Sequence, residues 1–341
     1  MRVSVLDQSP VPEGSTGADA LRNTIDLARR ADQLGYHRYW VAEHHGGPTL
    51  ASASPEALIG PIAAATERIR VGSGGVMLPY YSPLKVAETF TILAALYPGR
   101  IDLGLGRAPG TDQITMRALQ RDRRQPLPDD FPQQLSELLA YFDDSIAADH
   151  PFSRLGAVLP GRPELPVPWI LGSSAQSAIW AGELGLPYAF ADFINPGGGE
   201  VAARYRERFL ARRDREAPET AVAAWVLCAD SDQEAQRLAS SSRMLFTLLR
   251  RGQLIPVPPP EQALAFLARE HQPSGTPLPR RGIAGTPERV RAGLEALARD
   301  YLADEVIVVT ITHDHAARRR SYELIAEVMG IAVPGLAAAS G

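Results

Sequence analysis

The run Trp40-Val41-Ala42-Glu43-His44-His45, closed by Gly46-Gly47-Pro48, reads as a short buried strand ending in an acid and two histidines. Its aromatic and branched residues favour extended backbone, and Gly-Gly-Pro stops it. Ionisable groups at the carboxyl end of a buried strand are costly unless they have partners. In α/β proteins that end of a strand is also where ligands bind. The stretch predicts an α/β sheet with an active-site edge on its carboxyl side.

Working outward, similar apolar runs occur at Val3–Leu6, Tyr39–Ala42, Ile69–Leu78, Ile101–Leu105, Pro168–Leu171, Tyr188–Ala191, Ala221–Ala229 and Glu305–Ile311. Helical spacing fills the gaps. In Ala18–Leu34, apolar residues fall three or four apart until Gly35 stops the helix, and Thr286-Pro287-Glu288 has the cap, proline and acid of a helix start. Continuous apolar strands such as Val306–Ile311 suit a parallel sheet buried on both faces. Eight strands alternating with helices predict a (β/α)8 TIM barrel as a single domain over residues 1–341; a doubly wound open sheet with an extra domain is the competitor. Two stretches exceed a minimal barrel: an Arg-rich linker, Ala108–Pro132, after strand four, and a proline-rich segment, Arg251–Gly285, after strand seven. In a barrel both insertions fall near the ligand-binding rim.

Bulk properties narrow the function. Across 341 residues, 45% hydrophobic and 22% charged content is that of a globular protein with a large core. A net charge of −4 argues against a nucleic-acid partner. The one cysteine, Cys228, excludes an intrachain disulfide or a multi-cysteine metal site, and its apolar surroundings predict a buried structural thiol. No apolar segment follows a basic N-terminus and no run reaches membrane-span length, so a cytoplasmic protein without membrane association is expected.

Four clusters carry candidate chemistry. His44 and His45 are neighbours on extended chain and point to opposite faces, which disfavours a shared metal ion. An acid/base or hydrogen-bonding role for one of them, or a structural pair, fits better. The segment Val71-Gly72-Ser73-Gly74-Gly75-Val76 places three glycines in a strand, marking either a bulge or a flat ligand against the backbone. Gly104-Leu105-Gly106-Arg107-Ala108-Pro109-Gly110 is near a dinucleotide fingerprint, but its last glycine is one position late. Arg107 carries more information, because a guanidinium at a strand end can clamp a phosphate. Gly172-Ser173-Ser174-Ala175-Gln176-Ser177 leads into a helix, where hydroxyls and free N–H groups form either ordinary caps or a phosphate cradle.

In this order the motifs resemble the luciferase-like flavin-dependent monooxygenase superfamily, in its single-gene bacterial branch. The matching pieces are Leu6-Asp7-Gln8-Ser9-Pro10, Ala42-Glu43-His44-His45, Gly72 to Pro79, Gly99 to Arg107 and Gly285-Thr286-Pro287-Glu288. The resemblance implies a barrel that binds FMN, used in reduced form to activate oxygen and supplied by a separate flavin reductase. It implies that Arg107 and Arg117 contact the phosphate, with Ser173, Ser174 and Ser177 beside it. It makes His44 the histidine at the reacting flavin and Gly74–Gly75 a cis pair against the ring. Homodimerisation and a small organic substrate follow from the same resemblance. Gly106 stands where light-emitting members carry a reactive cysteine, so light emission is not implied. A deazaflavin-dependent hydride-transfer enzyme and a flavin-binding protein without turnover are the alternatives on this fold.

Overall fold

The computed structural model describes residues 1–331 apart from 108–111, 121, 126–128, 214 and 271–281. Its strands are β1 (Arg2–Asp7), β2 (Arg38–Val41), β3 (Arg70–Met77), β4 (Ile101–Gly106), β5 (Val167–Gly172), β6 (Tyr188–Ala191), β7 (Thr220–Cys228), β8 (Ile283–Gly285) and β9 (Glu305–Val309). The helices are α1 (Gly17–Leu34), α2 (Pro55–Ala64), α3 (Pro83–Leu96), α4 (Gln113–Leu119), α5 (Phe131–Asp143) and α6 (Ala175–Glu183). They continue with α7 (Gly199–Glu207), α8 (Asp232–Leu249), α9 (Pro260–Glu270), α10 (Pro287–Asp300) and α11 (His315–Val328).

All strand pairings are parallel, and the order β6-β5-β4-β3-β2-β1-β9-β7 closes through β6–β7. An open doubly wound sheet has two free edges, so this closure excludes it and establishes the (β/α)8 barrel. The expected strands all form. The short β8, which lies inside the expected 251–285 insertion, adds to the outer half of β7 without entering the barrel ring. The same insertion contains α9, and the linker after β4 contains α4; residues 108–111, 121, 126–128 and 271–281 of these insertions lie outside the described residues.

Local chemistry sets the boundaries. Thr16 and Asp19 make a reciprocal capping box at the start of α1, and Gly35 ends it at φ 87°. Thr286 occupies the cap position of α10 as expected, but its side chain makes no cap bond. Instead its N–H donates to Asp232 Oδ1 at 3.2 Å.

Side chains alternate across each strand and divide the core in two. Along β2 and the residue after it, Tyr39 and Val41 join the layer between barrel and helices, while Trp40 and Ala42 point into the barrel. Trp40 meets Trp169 edge to face at 5.2 Å inside the barrel. Beneath them Arg38 lies 4.5 Å from the Trp169 ring and bonds Asp102 Oδ2 at 2.7 Å and Glu305 Oε1 at 2.6 Å. Burial alone would raise the Asp102 carboxyl, but Arg38 and Arg70 outweigh it and hold it below the usual range. This ionic layer fills the amino end of the barrel and leaves the carboxyl end for a site.

Candidate active site

At the carboxyl end a cavity of about 330 Å3 opens, within the range of small-molecule and cofactor pockets. His44, Gly74, Gly75, Arg107, Ser173, Ser174 and Ser177 all line it. Residues from β2, β3, β4 and β5 thus converge because consecutive parallel strands end on the same rim.

His44 follows β2, its N–H donating to the Ser52 carbonyl at 2.9 Å. Its Nδ1 is buried and has no hydrogen-bond partner among the described residues. Burial, reinforced by neighbouring His45, lowers its pKa to about 4, so the ring is neutral at physiological pH. His45 points elsewhere: its Nε2 lies 2.8 Å from Glu43 Oε1. Glu43 also accepts from the Tyr81 hydroxyl at 2.7 Å and the Met77 N–H at 2.9 Å. The acid of the opening motif therefore ties the end of β2 to β3 and positions the backbone that carries His44.

The Gly74–Gly75 peptide is cis. Pairing of β3 with β4 shifts register between Ser73 and Val76, so these glycines form a bulge, and Gly74 and Gly75 also line the cavity. Packing requires glycine at position 75, where backbone is the neighbour, and favours it at 74, where the neighbour is the end of a leucine side chain. A Cβ at Gly74 would stand 2.5 Å from Leu6 Cδ1, and one at Gly75 would stand 2.7 Å from the Gly104 carbonyl oxygen. Gly104, part of the near-fingerprint, likewise leaves no room for a Cβ, which would meet the Ser73 carbonyl. Its glycine serves strand contact.

Arg107 leaves the end of β4 with about half its side chain exposed. Its guanidinium lies 5.6 Å from the Trp180 ring, and its nearest acid, Asp129, is at 3.9 Å. Beside Arg107, after the adjacent strand β5, Ser174 caps α6 by accepting from the Ser177 N–H. The Ser177 hydroxyl is held by the Ser174 carbonyl at 2.8 Å and the Tyr188 hydroxyl at 3.0 Å. Capping thus occupies Ser174 and Ser177, while the first N–H groups of α6 face the same rim as Arg107.

Arg117 does not join this group. It is exposed on α4, has no hydrogen-bond or ionic partner among the described residues, and borders a shallow surface hollow with Arg123. The short α4 turns it away from the cavity that Arg107 lines. Trp180 and Phe131, whose rings lie 5.3 Å apart, form a cavity wall that sequence reasoning missed. Both sit on helices with ordinary core spacing, which gave no signal.

The expected buried thiol is present: Cys228 is 1% exposed and burial pushes its pKa up to about 12. Among the described residues no group of three or more His, Cys, Asp or Glu is placed to hold a metal ion. No described helix is long and apolar enough to cross a membrane.

A closed parallel barrel with a ligand-sized cavity at its carboxyl rim, lined by a neutral histidine, paired glycines and a strand-end arginine, defines a class of small-molecule-binding barrel. Residues 1–305 match the family described as luciferase-like monooxygenase, and the chain belongs to that family. It is 43% identical over 327 residues to a luciferase-like monooxygenase of Escherichia coli strain K12, covering 95% of this chain and 96% of that one. It is 39% identical to the N-acetyl-S-alkylcysteine monooxygenase of Bacillus subtilis strain 168, covering 96% of this chain and 98% of that one. The crystal structure of apo-MsnO8 superposes with a TM-score of 0.88 at 43% identity, covering 97% of this chain and 99% of that one.

Proposed function

We propose that this protein is an FMN-dependent monooxygenase that uses reduced FMN and O2 to oxygenate a small organic substrate. The observation that carries the reading is the buried Nδ1 of His44, unpartnered among the described residues, in the wall of a cavity whose rim also holds Arg107 and the start of α6. An orphaned buried nitrogen is costly, and a bound polar ring system would satisfy it. The donor set fits FMN. Arg107 and the N–H groups of α6 would bind the phosphate, and Gly74 and Gly75 offer a wall without side chains to a flat ring.

When bound, reduced FMN supplies the electrons that activate O2 for transfer of one oxygen atom to the substrate. The chain's residues do the rest. His44, neutral above about pH 4, can hold or pass one proton at Nδ1. Glu43 fixes the backbone beneath it through Met77, Tyr81 and His45. Trp40, Phe131 and Trp180 present apolar surface that excludes water from the reacting region. In this reading a separate flavin reductase delivers the reduced cofactor, the enzyme works in the cytoplasm, and it works as a homodimer.

The test is product analysis under 18O2 with enzymatically reduced FMN. N-acetyl-S-alkylcysteines belong in the first substrate panel, because a relative is named for acting on them. One 18O atom in a product, dependent on reduced FMN, supports the reading. Deazaflavin-dependent hydride transfer without oxygen uptake, or FMN binding with no turnover across the panel, would replace it.

A further inference from the structure

A second cavity, of about 390 Å3, opens beside the first at the outer end of β7. Phe193 stands in the wall of both. The second chamber is walled by Trp225 and Leu227 of β7, Phe246 of α8 and Ile283 of β8, with Val309 and Ile311 behind them. Nothing in the chemistry assigned above uses it.

Three features give it a ligand preference. First, the Trp225 Nε1–H is buried and has no acceptor among the described residues. A buried donor left unpaired points to an oxygen that arrives with a ligand. Second, Arg243 and Arg250 line this cavity from the α8 side, and neither makes an ion pair among the described residues. Among the described residues Arg243 donates only to the amide oxygen of Gln236. This contrasts with Arg237 on the same helix, which bonds Glu234 at 2.7 Å and Glu261 at 2.5 Å. Third, Asp192 is the only carboxylate among the described lining residues, and its Oδ1 already accepts from the Tyr301 hydroxyl at 2.6 Å. The chamber is therefore apolar in its body and cationic at one side.

We propose that this chamber is the organic-substrate pocket and that it selects apolar carboxylic acids, with the acid group held by Arg243, the body along Trp225 and Phe246, and the Trp225 N–H donating to a substrate oxygen. The proposal rests on the reading that the His44 cavity takes the flavin, since Phe193 then separates substrate from cofactor by one side chain. Arg243 is a specificity-determining residue in this scheme and takes no part in oxygen chemistry. A planar guanidinium suits it to a carboxylate, which it can bind through two donors.

The experiment is calorimetric titration of the protein with naphthalene-1-acetate and with the uncharged naphthalene-1-acetamide, using wild type and Arg243→Ala, with FMN titrated in parallel. The acid should bind wild type about tenfold more tightly than the amide, the effect of one charge-assisted pair at a partly open site. Arg243→Ala should abolish that preference while leaving FMN affinity unchanged. Equal binding of acid and amide, or a preference that survives Arg243→Ala, overturns the proposal. Failure of the acid to bind while FMN binds removes the substrate pocket and leaves the flavin reading standing. Preference for the acid without any FMN binding keeps the anion site and removes the flavin reading.

Discussion

Lowering the pH from 7 to about 4.5 protonates His44 in the unfolded chain but leaves it mostly neutral in the folded protein. Its pKa falls from an ordinary 6.5 to about 4 because burial, with His45 beside it, penalises the imidazolium. Between those values the unfolded state binds more protons, so stability falls as pH falls through 6.5 and the loss is complete near 4. At about pH 4.5 the linkage relation gives roughly 2.5 kcal/mol. Spread over 341 residues at about 2.1 cal/mol/K each, that is an extra fall in Tm of about 3–4 °C. The assay is thermal melting of flavin-free wild type and His44→Asn at both pH values. His37 and His315, whose pKa values are also lowered by burial, titrate in both proteins and cancel in the difference. Wild type should lose those extra degrees on acidification. An identical acid response in the two proteins would refute the claim that His44 is held neutral by burial.

Other substitutions probe separate layers. Gly75→Ala drives a Cβ to 2.7 Å from the Gly104 carbonyl oxygen. Backbone on both sides has little freedom to move, so flavin-free protein should lose about 1–3 kcal/mol in a denaturation curve; unchanged stability would show that the strands separate at no cost. Arg38→Met leaves the buried Asp102 with Arg70 at 2.5 Å and the Trp40 N–H at 3.0 Å, and Glu305 with Arg2 at 3.5 Å. It should cost about 3 kcal/mol or more, and the same assay would disprove this by showing no loss. His44→Ala should lower turnover by roughly a hundredfold, whereas His45→Ala, by loosening Glu43, should act mainly on Tm. Normal turnover in His44→Ala would remove the histidine from the chemistry.

Much of this architecture was legible because it depends on short periodicities. Apolar runs with glycine or proline stops located all eight barrel strands, and Gly35 marked the end of α1 within a residue. The three-residue β8 escaped because a strand so short carries no alternation to read. At the site, strand-end residues were found: His44, Gly74, Gly75, Arg107 and the serines after β5 share one cavity. Residues contributed by helices were not, since Phe131 and Trp180 repeat as core positions do. Arg117 was assigned by resemblance alone, and the structure puts it on the outside of α4. The ionic floor of Arg38, Asp102 and Glu305 is built from three separate strands, and sequence offers no way to pair charges so far apart. The role of Glu43 was half visible: a buried acid demanded a partner, but only the fold supplies Tyr81 and the Met77 N–H.

The claim on which the rest depends is that FMN occupies the His44 cavity with its phosphate at Arg107. Parallel titrations of FMN and riboflavin into wild type and Arg107→Ala test it, because the two ligands differ by the phosphate. With the Arg107 side chain 49% exposed, solvent screening limits the effect. Wild type should prefer FMN, and Arg107→Ala should weaken FMN binding about tenfold while leaving riboflavin affinity unchanged. Equal affinity of wild type for the two flavins, or an FMN preference that survives Arg107→Ala, would contradict the account.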